Sequence, residues 1–252
     1  MPHSLDAGRI VATIDKLSAR IGERFPGSGL SGVSTTLGNI ARETRARAAA
    51  IVRPNVALRL AGLAALALGG ALIVYVIGLI EVKRDAENLF GVLQGIEAAV
   101  NILIVAGAAM FFLATLEARW KRQQALAHLH ELRSVVHVID MHQLTKDPMI
   151  AGDGTLATPS SPKRTLTPFE LVRYLDYCSE LLSLAAKVAA LYAQSSRDPV
   201  VVDVVNDIER LTANLAQKVW QKIMIVESRR HEASATLPAV TISPISDDRK
   251  SS

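Results

Sequence analysis

Two uncharged apolar runs interrupt an otherwise mixed chain. The first, "AGLAALALGGALIVYVIGLI", covers residues 61–80. At about 1.5 Å per residue, such a run matches the hydrocarbon thickness of a bilayer. The second, "AAVNILIVAGAAMFFLATL", covers residues 98–116 and extends back to Val92 if Glu97 is tolerated near the interface. Both predict membrane-spanning helices. A signal peptide does not fit the first run, which starts some sixty residues in and is too long for a signal core.

Outside these runs the apolar positions recur every three or four residues, the helical period. In the N-terminal arm Ile10, Ile14, Leu17 and Ile21 form a stripe flanked by basic residues, and "FPGSGLSG" ends it. This amphipathic segment can lie on an anionic membrane or pack on the chain's own bundle. A second helical stretch, about Thr36 to Arg53, leads to Pro54. After the second apolar run no breaker occurs before Leu144, which predicts one long rod. "TKDPMIAGDGTLATPSSPKRTLTP" then reads as a loop.

Thr167, Pro168 and Glu170 carry the signature of a capped helix start. Leu171, Leu175, Cys178, Leu182, Ala185, Ala189 and Tyr192 follow as a packing seam. Asp198 and Pro199 open the last helix, whose apolar side is Val201, Val204, Ile208, Leu211, Leu215, Val219, Ile223 and Val226. The expected fold is therefore all-α, a two-span transmembrane helical hairpin with a cytoplasmic helical bundle. Its expected parts are an N-terminal arm over 1–55 and a hairpin over 56–118, with spans at about 60–81 and 95–117. A bundle over 119–227 with a flexible loop at about 145–166, and a disordered tail over 228–252, complete it.

Charge sets the orientation. Arg42, Arg45, Arg47, Arg53 and Arg59 precede the first span, and Arg119, Lys121 and Arg122 follow the second beside Trp120. The segment between the spans has only Lys83 and Arg84 against three acids. Cytoplasmic segments carry the Lys/Arg excess, so both termini are expected in the cytoplasm and the chain in the inner (plasma) membrane. The net charge of +4 gives no nucleic-acid footprint, because its basic residues cluster beside the apolar runs. Half the chain is hydrophobic but only 4% aromatic, an Ala- and Leu-rich mixture that favours helix. Cys178 is the single cysteine, so no intrachain disulfide forms.

Candidate chemistry is sparse. "HLHELRSVVHVIDMHQLTKDP" (128–148) holds His128, His130, His137 and His142, none of them three or four apart, so no two share a helical face for a metal. Arg133, His137 and Asp140 do line one edge of the apolar face and form a candidate functional polar edge, with a ligand, metal or pH-sensing role as the alternative to simple packing. Glu97 and Asn101, one turn apart, are the candidate intramembrane polar pair. Small residues (Gly62, Ala65, Gly69 and Gly70; Ala106 to Ala109) suit close helix packing in lipid, within the hairpin or between copies.

Phosphate loops, dinucleotide fingerprints, CxxC pairs and nucleophile elbows are absent from the sequence. The expectation is no enzyme, no cofactor and no resident metal. The expected partners are the lipid bilayer and either a second copy, in a homo-oligomer, or a cytoplasmic protein. Two functions follow: a scaffold, structural or signalling protein working through its bundle, or a small homo-oligomeric channel.

Overall fold

The computed structural model describes residues 4–52, 55–79, 89–146, 166–196 and 198–235. Within these residues the chain is all-helical: six helices and no strand. They are α1 (Ala7–Arg24), α2 (Gly29–Val52), α3 (Val56–Leu79), α4 (Leu89–Leu144), α5 (Pro168–Ser195) and α6 (Pro199–Ala235).

Local sequence explains most boundaries. Asp6 caps α1, its carboxylate accepting from the Gly8 and Arg9 amides at 2.7 and 3.2 Å. Between α1 and α2 the chain turns at Gly27, whose φ of 68° suits a residue without a Cβ. Ser28 then caps α2 through the Ser31 amide. That cap starts the helix at Gly29, ahead of the expected Thr36, because the two glycines of "GLSG" fall in a first turn that tolerates them. The capping box of α5 is complete: the Thr167 amide donates to Glu170 Oε2 at 2.8 Å and the Glu170 amide to Thr167 Oγ1 at 3.3 Å. Asp198 caps α6 through the Val200 amide. The polar tail expected from residue 228 is helical as far as Ala235, where Glu227–Arg230 and Ser228–Glu232 contacts support extra turns.

The helices contribute to two compact units. The first comprises residues up to Val11, Asn39–Ser134 and Lys187–Glu209; the second comprises Ala12–Gly38, Val135–Ala186 and Arg210 onward. The core of the first includes Ile40, Leu129, Leu132, Val188, Tyr192 and Ile208, all nearly inaccessible. The core of the second includes Ile14, Leu17, Ile139, Leu175, Leu182 and Val219. The stripe Ile10, Ile14, Leu17 and Ile21 is thus buried in protein rather than presented to a membrane surface. The α5 seam is buried at every expected position, whereas the α6 seam runs through Val205 and Thr212 in place of Val204 and Leu211.

The first unit also carries apolar residues that no protein covers. On α3, Leu60, Leu63, Leu68, Leu72, Val74 and Tyr75 are all exposed. On α4 the same holds around the circumference, from Val100, Leu103 and Ile104 to Phe111 and Phe112. α4 contains a stretch long and apolar enough to cross a bilayer, with a mean hydropathy of 2.3 and none of it buried. It is the one such helix among the described residues; the apolar segment of α3, Arg59–Leu72, is shorter and does not reach that length. α4 runs on without interruption from that stretch through the histidine segment to Leu144, the rod expected from the sequence.

Candidate functional site

A cluster of polar contacts in the first unit forms a collar around Glu117, one residue past the second apolar run. Asn55 precedes α3 and opens it, its carbonyl accepting from the Arg59 amide at 3.1 Å. Its own amide, which no helical bond can satisfy, donates to Glu117 Oε1 at 2.9 Å. Arg59 Nε donates to Glu117 Oε2 at 2.8 Å, and Lys121 Nζ, one turn on, reaches Oε1 at 2.8 Å. A single carboxylate on α4 therefore holds the first turn of α3.

A cleft of about 380 Å³ is lined by Arg59, Gly62, Leu63 and Leu66 on one side and Met110, Leu113, Ala114 and Glu117 on the other. Asn55 and Arg59 at the start of α3 meet Glu117 of α4 at one end of this cleft. Gly62, with nothing within 4 Å of a Cβ built on it, leaves this cleft open.

Beyond the collar, two clusters tie α4 to its neighbours. Arg122 Nε donates to Asp198 Oδ2 at 2.6 Å, the other oxygen of the same carboxylate capping α6. His128 Nδ1 lies 2.7 Å from an Arg47 guanidinium nitrogen, and its ring stacks on Tyr192 with centroids 6.4 Å apart. Guanidinium can only donate, so Nδ1 must carry a lone pair and His128 is neutral in this arrangement. Burial and the Arg47 charge both push the His128 pKa below its ordinary value, the nearby Glu131 and Glu43 opposing them. The Tyr192 hydroxyl reaches Thr44 Oγ1 at 3.4 Å, and burial raises its pKa.

In the second unit, Gln143 is almost fully buried on α4. Its Nε2 donates to Asp140 Oδ1 at 2.6 Å, and its backbone carbonyl accepts from Lys222 Nζ of α6 at 2.8 Å. An ionised carboxylate only accepts, which fixes the amide orientation and leaves Gln143 Oε1 buried without a protein partner. The His142 ring lies against Gly29, where a side-chain carbon would overlap it. Burial lowers the His142 pKa, with Lys146 adding to the effect. Cys178 is buried on the α5 seam and its thiol is pushed up to about 12 by that burial, which holds it in the protonated form.

The residues singled out in the sequence are scattered in role. Arg133 and His137 are exposed and carry no hydrogen bond or ion pair among the described residues, while Asp140 is engaged with Gln143. Glu97 and Asn101 are both exposed on α4. No group of three His, Cys, Asp or Glu side chains comes together as a metal site among the described residues. Sequence reasoning missed the collar, although its signal was visible: Glu117 is the lone acid in the cation-rich segment after the second run. The Arg47–His128 pair joins residues 81 positions apart and had no local signal. Compared with protein-family models, curated proteins and solved structures, the chain matches none.

Proposed function

We propose that this chain is an integral membrane protein of the inner (plasma) membrane. In this account α3 and α4 cross as a hairpin, both termini are cytoplasmic, and the cytoplasmic helices mediate self-assembly or the binding of a cytoplasmic partner. The observation that carries the membrane part is an apolar stretch on α4 with a mean hydropathy of 2.3, none of it buried. Leucines elsewhere, such as Leu129 and Leu132, are fully buried. A helix apolar on all sides and uncovered by protein is stable only where its solvent is lipid. The collar supports the second span, since Glu117 ends the apolar stretch of α4 where Asn55 and Arg59 begin that of α3.

The scaffold role is supported by contacts within the bundle and by apolar side chains it leaves exposed. Its polar contacts join helix to helix, as in Arg122–Asp198 and Lys222–Gln143, and its cysteine is buried. Trp220 and Met224 on α6, and Met141 and Leu144 on α4, are large apolar side chains left exposed, and residues of this kind recur at protein interfaces. In-cell photocrosslinking from position 220 is the direct test. A specific adduct, with a second copy or one cytoplasmic protein, is expected; adducts from position 220 no more frequent than from exposed polar Gln217 would remove the scaffold reading.

A second reading, a small homo-oligomeric channel, has one observation in its favour. Glu97 and Asn101 are both exposed within the apolar portion of α4, where polar groups face either a pathway or another copy. Ion flux in liposomes that changes with Glu97→Gln is expected on this reading, and flux indifferent to it refutes the reading.

A further inference from the structure

At the foot of the apolar helices the cations are not equivalent. Arg59 and Lys121 each reach Glu117 at 2.8 Å, and Arg122 reaches Asp198 at 2.6 Å. Arg119 is different. Its guanidinium lies 5.6 Å from the centroid of the Phe112 ring, and no carboxylate among the described residues meets it. Phe112 is two turns earlier on α4, about 10 Å toward the apolar side. The Arg119 side chain therefore folds back along the helix instead of extending into water.

The same face of α4 is a shallow open groove lined by Phe112, Leu116, Arg119, Trp120, Arg122 and Gln123. Its chemistry changes along its length. Phe112 and Leu116 form a hydrocarbon end; the Arg119 guanidinium, the Trp120 indole N–H and the Gln123 amide form a donor-rich end. Phe112 and Trp120 are each about half exposed, at 51% and 48%. A complementary ligand needs an apolar chain joined to an anionic, hydrogen-bond-accepting head.

We propose that this groove binds one anionic phospholipid, with Arg119 and Trp120 holding the phosphate and an acyl chain lying along Phe112 and Leu116. The inference rests on the membrane reading of α4. Charge complementarity selects the anionic lipid: Arg59, Lys121 and Arg122 already face acids, so among these described cations Arg119 is the charge left to neutralise, and a zwitterionic head would bring its own cation. A free phosphate would satisfy Arg119 and leave the apolar half of the groove uncovered.

The test uses the full chain in mild detergent, with bound lipid counted by native mass spectrometry during titration with phosphatidylglycerol or phosphatidylcholine. Phosphatidylglycerol should be retained about five-fold better, the factor expected for one basic side chain at a membrane surface. Arg119→Gln should remove that preference, and Trp120→Leu should weaken retention of both lipids. Lys218→Gln, an exposed charge on α6, should change nothing. Glycerol phosphate at matched concentration should not compete. Unchanged retention in Arg119→Gln overturns the site, as does equal loss in Lys218→Gln, and full competition by glycerol phosphate overturns the lipid as its source. Failure of the membrane reading is separate and appears first, as release of the wild-type protein from membranes by an alkaline carbonate wash.

Discussion

Replacing Glu117 by alanine should loosen the start of α3 more than any exposed charge change elsewhere. The Glu117 side chain is 14% exposed and meets three donors. The bond from the Asn55 amide is charge-assisted and leaves a backbone donor orphaned when lost, worth about 1.5 kcal/mol. The Lys121 contact, one turn away on the same helix, adds about 0.5 kcal/mol. Arg59 is 63% exposed, so its ion pair with Glu117 contributes no more than about 0.5 kcal/mol. Together these give about 2.5 kcal/mol, or a fall of about 5–10 °C in the unfolding midpoint for a chain of this size. The assay is helical content against temperature in mild detergent, with Glu227→Ala, which breaks a single partly exposed i,i+3 pair on α6, as the comparison. A Glu117→Ala midpoint within 1 °C of wild type would refute the claim that one carboxylate holds this helix start. Arg59→Gln should cost far less, because the amide bond of Asn55 survives it.

Acid should weaken the fold through His128 and His142. Both have folded-state pKa values below the ordinary one, so their contribution is fully present above about pH 6.5 and is lost as pH falls from there toward the folded values. Melting temperatures between pH 7.5 and 5.5 should drop in the wild type and flatten in a His128→Gln, His142→Gln double variant; an equally steep drop would contradict the assignment. Leu132→Ala, at a fully buried position, should cost about 2–5 kcal/mol, whereas Leu103→Ala, at a 74% exposed position, should leave the midpoint nearly unchanged. Leu103→Lys, by contrast, should reduce membrane insertion, which fractionation reads directly. Cys178 should resist maleimide in the folded protein and react once the chain is unfolded, so rapid native labelling would show its seam to be open.

The helices, and the starts of α5 and α6, were legible because they depend on neighbours in sequence, whereas α2 begins at Gly29, earlier than its sequence pattern placed it. Thr167–Pro168–Glu170 and Asp198–Pro199 each specify a cap within four residues, and both caps form. The α5 seam was equally readable, since seven positions at helical spacing leave little choice of buried face. The α6 seam slipped by one residue at Val205 and Thr212. There the helix has apolar candidates side by side, Val204 with Val205 and Leu211 with Thr212, and tertiary packing chooses between them. The functional picture was less legible for the same reason. Arg133, His137 and Asp140 share an azimuth on one helix, but a shared azimuth does not decide which of them meets another element. Asp140 engages Gln143, and it was His128, unremarkable by spacing, that met Arg47 and Tyr192.

The central claim is a two-span hairpin with both ends in the cytoplasm, and cysteine accessibility in intact cells tests it most directly. In a Cys178→Ser background, single cysteines would replace Ala86 between the two apolar runs, and Ser4 and Gln123 outside them. A membrane-impermeant maleimide should label position 86 in intact cells, and positions 4 and 123 only after permeabilisation. Labelling of position 4 or 123 in intact cells, or protection of position 86 until permeabilisation, would contradict the hairpin and its orientation.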